Sequence, residues 1–290
     1  MPLEKIIWSA AAAVLAGGYC FVENRQLKVN VYTVEFDNLP HSFSGKRILH
    51  ISDLHTKRYG DRYNNLINSC AATKPDYIFF TGDLYSRNEK SIEHKTVLMQ
   101  RLMELAPVYY VYGNHEADTR EMADDLSQKL EKLGVHVLRN QKSRLYIGED
   151  FVNVYGADID ERYYKNPDGG YKNLPELSKE ELEKMLGKPD KNEFNILLAH
   201  TPFPFKEYAK WGADLTLSGH CHGGVIRLPV VGGLLSPERR FFPEYSKGLY
   251  ILHNNSRTSK MEVTAGLGKF RMWNPSEIVV LILKKTEGND

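Results

Sequence analysis

The chain has 290 residues, 42% of them hydrophobic and 26% charged, with 38 basic side chains against 37 acidic and a formal net charge of +1. These values exclude a disordered chain and leave material for one large domain or two small ones. Balanced charge argues against a nucleic-acid partner, which needs a clearly basic face, and three scattered cysteines (Cys20, Cys70, Cys221) argue against a disulfide framework.

Residues 6–22 (IIWSAAAAVLAGGYCFV) carry no charge and lie between Lys5 and Glu23. The run is at the lower length limit for a membrane-spanning helix. Its Ala/Gly content makes the drive to insert modest. Residues 1–24 therefore read as a signal-anchor first, with a cleaved signal peptide or a docked helix as alternatives. Residues 25–46 read as a connector with one strand at 27–36, where Leu27, Val29 and Val31 alternate as the buried face.

From Arg47 to residue 286, strand-like and helical runs alternate. Strands are expected at 48–51, 77–80, 108–112, 152–155, 194–199 and 215–217. Helices are expected at 64–72, 92–105, 122–133 and 176–186, the last two stopped by Gly134 and Gly187. This alternation gives an α/β class. Runs at 225–228, 249–252, 261–264 and 278–283 read as strands without helices between them, hence a second sheet packed on the first. Two long loops, 160–173 and 229–247, stand where a substrate site is shaped. Residues 228–245 (LPVVGGLLSPERRFFPEY) read as a loop packed over the second sheet, or as a flap that touches lipid while Arg239 and Arg240 meet phosphate.

Five segments each close an apolar run: Asp53-Leu54-His55, Gly82-Asp83, Gly113-Asn114-His115-Glu116, His200, and Gly219-His220-Cys221-His222. Ligands gather beyond strand ends because the loops converge there on a rigid sheet. An Asp-x-His pair places both side chains on one side of an extended segment, and Asp83 has two oxygens with which to bridge two ions. Mixed oxygen and nitrogen donors suit Mn²⁺, Fe or Zn²⁺ and not Ca²⁺. His115 would protrude beside the ions as a general acid or hydrogen-bond donor, with Glu116 to orient it. Cys221 would point away from its neighbours and pack. His41, His50, His94, His136 and His253 lie outside these segments and read as structural. Asp158 and Asp160 read as turn or cap residues.

The five segments, in this order across residues 53–222, resemble the calcineurin-like metallophosphoesterase superfamily, whose pattern is D-x-H, G-D, G-N-H-[ED], H and G-H-x-H. The resemblance implies a four-layer α/β/β/α sandwich, two central mixed β-sheets flanked by helices, over residues 47–286. It implies two divalent metal ions per chain, Mn²⁺ foremost with Fe or Zn²⁺ as alternatives, and phosphoester hydrolysis by a hydroxide bridging them. Asp53, His55, Asp83 and His222 would hold the first ion. Asp83, Asn114, His200 and His220 would hold the second, with His115 as the catalytic residue. The apolar N-terminus, Ile51-Ser52-Asp53-Leu54-His55, and Thr264-Ala265-Gly266-Leu267-Gly268 followed by Asn274-Pro275-Ser276-Glu277-Ile278 are similar to a bacterial membrane-associated branch. That branch implies a phosphodiester substrate, lipid-linked or nucleotide-linked. It implies a catalytic domain at the cell membrane on its extracytoplasmic face, or secreted or wall-associated if residues 1–24 are cleaved. Two other readings stay open: a surface-tethered protein that holds metal with little catalysis, and a nucleotide-directed phosphodiesterase. The intact His115 weighs against the first.

Overall fold

The computed structural model describes residues 26–228, 231–254, 257–268 and 271–287, with positions 2, 4, 5, 7, 8, 14, 17–19, 22 and 23 before them. Among the described residues no helix is long and apolar enough to cross a membrane. The span expected at 6–22 lies mostly outside them.

The first sheet runs β1 (Leu27–Phe36), β14 (Ser276–Lys285), β2 (Arg47–Ile51), β3 (Tyr77–Thr81), β4 (Val108–Val111) and β5 (His136–Val137). Only the β14–β2 pair is antiparallel. The second sheet runs β12 (Gly248–Asn254), β13 (Arg257–Val263), β9 (Leu215–Ser218), β8 (Asn195–Ala199), β7 (Asp150–Ala157) and β6 (Gln141–Ile147), parallel inside and antiparallel at each edge pair. A small hairpin joins β10 (Arg227–Leu228) to β11 (Gly232–Gly233).

The sheets face each other across Ile48, Phe79, Val111, Val154, Ile196, Leu217 and Leu281. The helices α1 (Asn64–Ala72), α2 (Glu93–Met103), α3 (Asn114–Asp118) and α4 (Arg120–Lys132) follow strands of the first sheet. Leu66 of α1, Leu98 of α2 and Leu126 of α4 cover its outer face. Leu182 of α5 (Lys179–Leu186) and Trp211 of α6 (Phe205–Trp211) cover Tyr155 and Leu197 on the outer face of the second. The architecture is therefore the α/β/β/α sandwich. It explains the unbroken apolar runs of β2, β3, β4 and β8, since both faces of each strand are covered.

Three expectations change. In β1 the buried face is Tyr32, Val34 and Phe36, whereas Val29 and Val31 are 42% and 54% exposed. Phe36 sets that choice by packing edge-on against Phe194, 4.9 Å between ring centres, inside the inter-sheet core. The strands of the last third do not form one sheet. β12 and β13 extend the second sheet, while β14 returns to the first. The strand expected at 225–228 shrinks to two residues, because the glycines at 223 and 224 (φ +71° and +75°) turn the chain where a ladder would start.

Candidate metal centre

Asp53 and His55 follow β2, Asp83 follows β3, Asn114 and His115 open α3 beyond β4, His200 follows β8, and His220 and His222 follow β9. β2, β3 and β4 are mutually parallel, as are β8 and β9, so each sheet delivers its loops from its carboxyl ends. The loops are not extended, as the Asp-x-His spacing had suggested. Asp53, His55, Asp83, His220 and His222 have φ of +54°, +52°, +53°, +65° and +50°. Side chains rarely tolerate this left-handed region, which costs about 1–2 kcal/mol per residue. Five such residues persist in one place only where surrounding bonds fix them. Asp53 N–H donates to the Gly82 carbonyl and His55 N–H to the Asp83 carbonyl, both at 3.1 Å. The buried Lys95 ammonium donates to the His55 carbonyl. Glu116 does not touch His115, as had been expected. Its carboxylate accepts the backbone N–H groups of Asp83 (2.9 Å), Leu84 (2.9 Å) and Gly113 (2.8 Å). It thus joins two of the loops.

The side chains converge in two groups that share Asp83. In the first, one donor atom each from Asp53, His55, Asp83 and His222 lies within 4.8 Å of every other. In the second, Asn114 Oδ1 lies 3.1 Å from His200 Nε2 and 2.9 Å from His220 Nδ1, and His200 Nε2 lies 3.4 Å from Asp83 Oδ2. Donors held about 2.1 Å from a common cation stand about 3.0–3.4 Å apart in octahedral or tetrahedral geometry.

With both imidazoles neutral, the second group is not a hydrogen-bond network. His200 Nδ1 donates to the Thr81 carbonyl at 2.6 Å, which leaves Nε2 a bare lone pair. His220 Nε2 donates to Glu238 Oε1 at 2.9 Å, which leaves Nδ1 a bare lone pair. With both rings neutral, three acceptors meet at the Asn114 oxygen, and only a cation or a further proton can hold them together. Turning the amide over would put its oxygen 3.1 Å from Arg87 Nη2 and its NH₂ against the acceptors. That arrangement suits neutral imidazoles without a metal; the oxygen turned toward the imidazoles suits a positive charge between them. The donor set therefore fits a divalent metal.

The electrostatics agree. Burial pushes the Asp53 carboxyl up, and pushes His55 down to about 3. Burial alone would raise Asp83, but His200, His115 and His55 hold it well below the usual carboxylate range. Burial alone would lower His200, yet Asp83 and Asp53 hold it up at about 10. Without a metal, a proton on His200 supplies the positive charge these carboxylates require. That proton must leave before Nε2 can bind an ion. Below pH 10 it costs affinity, and raising the pH removes the cost. Apparent affinity for Mn²⁺ should rise about tenfold per pH unit between about pH 6 and pH 9. Titration calorimetry across that range checks it, and a flat profile would contradict the arrangement.

His115 stands beside both groups, with Nε2 3.8 Å from Asp83 Oδ2. Arg87 N–H donates to its Nδ1 at 2.9 Å, so the neutral ring carries its proton on Nε2. Burial lowers its pKa, so it stays neutral near pH 7. The site opens into a cavity of ≈ 220 Å³ whose lining includes Asp83, Asn114, His115, His220 and His222 together with Arg87, Tyr164, Lys165 and Glu238. Arg87 and Lys165 both pair with Asp118, the latter at 2.9 Å. The Tyr164 hydroxyl is buried without a hydrogen-bond partner. Sequence reasoning passed over Arg87, Tyr164, Lys165 and Glu238, although all but Arg87 lie in the two long loops it had singled out.

The remaining residues fall outside the centre. His50 bonds Glu262 and the Thr81 hydroxyl (2.7 Å), so it supports the strand whose carbonyl holds His200. Cys221 is buried, and burial raises its thiol well above the usual range. Asp158 pairs with Arg120, and Asp160 caps the turn at Glu161–Tyr163. The stretch 264–268 backs Asp53, with Leu267 N–H donating to the Ser52 carbonyl at 3.0 Å.

Comparison with known proteins follows the same lines. Residues 46–224 match the calcineurin-like phosphoesterase family, well over half of the chain. A metallophosphoesterase of Aquifex aeolicus is 31% identical over 285 residues, covering 94% of this chain and 97% of its own. The metallophosphoesterase YkuE of Bacillus subtilis is 28% identical over 289 residues, covering 96% and 94%. The phosphodiesterase YaeI of Escherichia coli is 29% identical over 199 residues, 66% of each chain. Among solved structures, TT1561 of Thermus thermophilus shares the fold, with a TM-score of 0.51 at 15% identity over 77% of this chain and 91% of its own. Motif order, fold and family match converge on one conclusion: the chain belongs to the calcineurin-like phosphoesterase family and is a phosphoric ester hydrolase.

Proposed function

We propose that this hydrolase cleaves phosphodiesters with two divalent cations, Mn²⁺ foremost and Fe or Zn²⁺ as alternatives, on an envelope-associated substrate. The observation that carries the reading is the Asn114 oxygen, which faces His220 Nδ1 at 2.9 Å and His200 Nε2 at 3.1 Å, two nitrogens whose neutral rings would present only lone pairs to it. Asp53, His55, Asp83 and His222 would hold one ion, and Asp83, Asn114, His200 and His220 the other. Bound there, the cations would supply Lewis acidity and a nucleophile at neutral pH. The chain's own residues then have separate tasks. Arg87, Lys165 and the Tyr164 hydroxyl line the cavity as donors for phosphoryl oxygens. His115 presents Nε2–H where charge develops on the leaving oxygen. The buried loops keep the reacting group out of bulk water. The diester preference is supported by the similarity to the phosphodiesterase YaeI.

The envelope reading rests on residues 6–22 and on Phe241 and Phe242, which are 72% and 59% exposed beside Arg239 and Arg240. It places the domain at the cell membrane on the extracytoplasmic face, where a lipid-linked phosphodiester is accessible. Metal-stripped protein given Mn²⁺ should hydrolyse bis(p-nitrophenyl) phosphate at least about tenfold better than p-nitrophenyl phosphate in kcat/KM. A preference for the monoester would overturn the diester assignment. Replacing Phe241 and Phe242 by Ser should lower turnover of a vesicle-borne phosphodiester about tenfold or more. Cleavage of the small aryl diester should not change. Equal loss on both substrates would remove the lipid reading and leave the hydrolase intact.

A further inference from the structure

Glu238 lies in a loop with no recognisable motif, 18 residues beyond the ligand His220 that its carboxylate meets. Its side chain is buried. One oxygen accepts His220 Nε2–H at 2.9 Å. The other pairs with Arg240 Nε at 3.0 Å. The Arg240 guanidinium in turn stacks 4.5 Å over the Phe203 ring, which lies edge-on to the His220 imidazole, 6.1 Å away. Loop, arginine and aromatic ring therefore hold one carboxylate against one imidazole nitrogen.

The arrangement decides which nitrogen of His220 is free. A neutral imidazole has one N–H and one lone pair. Glu238 can only accept, so it fixes the proton on Nε2 and turns the Nδ1 lone pair toward Asn114 Oδ1 at 2.9 Å. His200 achieves the same with the Thr81 carbonyl at 2.6 Å, a neutral partner. Only His220 of the two has a carboxylate behind it, which adds electron density to the ring as well as orienting it.

We infer that Glu238 is a positioning residue for the metal centre: it commits His220 Nδ1 to the ion that Asn114 and His200 also face, and so sets the affinity of that second site. This rests on the two-ion reading given above. Glu238 backs His220 and also lines the cavity, so activity alone is a poor test and metal binding is the direct one.

The experiment uses the full chain, stripped of metal and titrated with Mn²⁺ by calorimetry, with Co²⁺ absorption as a second count of bound ions. Glu238→Ala should weaken one of the two binding events about 10- to 100-fold and leave the other unchanged. Glu238→Gln keeps an acceptor for Nε2–H and should stay within about fivefold of the unaltered protein. Long-range proton–nitrogen spectra of the imidazoles in the metal-free state should show His220 in the Nε2–H form in the unaltered protein and in Glu238→Gln. They should show a mixture of tautomers in Glu238→Ala. Wild-type affinity in Glu238→Ala would overturn the inference. Equal weakening in both variants would also overturn it, because the acceptor that Gln retains would then be irrelevant. If the unaltered protein binds no second ion, the two-ion reading fails instead, and the tautomer measurement still decides what Glu238 does to His220.

Discussion

Asp83→Ala is expected to abolish metal-dependent cleavage of bis(p-nitrophenyl) phosphate, a loss of at least about 10³-fold in kcat/KM, or about 4 kcal/mol of transition-state stabilisation. The Asp83 carboxylate stands between both donor groups. Its Oδ2 stands 3.7 Å from His55 Nε2 and 3.4 Å from His200 Nε2, while Oδ1 accepts the His115 N–H at 2.9 Å. Removal takes an oxygen from each group and loosens the backbone of His115. It also strips His200 of the foremost carboxylate that holds its imidazole charged. His220→Ala should fall nearly as far, since it removes a whole ligand from the second group. Metal content measured beside activity separates lost ions from misplaced ones. Full activity in either variant would sink the assigned site.

Gly82→Ala should be strongly damaging although the residue carries no chemistry. Gly82 has φ +89°, and a Cβ there would meet Gly113 N at 2.5 Å and His200 Nδ1 at 2.8 Å. One methyl group thus combines a left-handed strain with a collision against backbone that Glu116 has already pinned. The expected cost is about 3 kcal/mol or more. In a chain of this size that is a fall of roughly 5 °C or more in Tm. The measurement is made on metal-free protein, so that weaker ion binding cannot mimic it. An unchanged Tm would mean that the Asp83 and Asn114 loops are not packed as tightly as described.

The strands and ligands were legible because burial on both faces writes itself as unbroken apolar runs, and a polar cluster closing run after run rarely arises by chance. The inter-sheet core at Phe79 and Ile196 and the ligands Asp53, Asp83 and His220 all announced themselves this way. What stayed hidden depends on contacts between distant segments. The face of β1 was misassigned because Val29 and Val31 alternate as well as Tyr32 and Val34 do, and only Phe194 breaks the tie. The ligand loops were read as extended because spacing gives no sign of a left-handed φ at a non-glycine residue. Glu238, Tyr164 and Lys95 sit in aperiodic loops or on a helix face whose partners are elsewhere in sequence. Glu116 stood inside a motif and was given the nearest task, orienting His115, when its partners were backbone amides three and some thirty residues away.

The position of β14 has a consequence in time. It is the last strand among the described residues, yet it lies between β1 and β2, where Asn30 meets Glu277 across 247 residues of sequence. While the chain is being made, β2 is an open edge and β1 has no neighbour. Asp53 and His55 then hang from a strand with one side unsupported. Closure of this sheet is as non-local as the sequence permits, and such pairings form slowly. The two aspartates of the centre stand on adjacent strands, but one of those strands is completed only when the far end of the chain arrives. The metal site is thus a late product of biosynthesis, assembled after almost every residue that builds it has already been waiting.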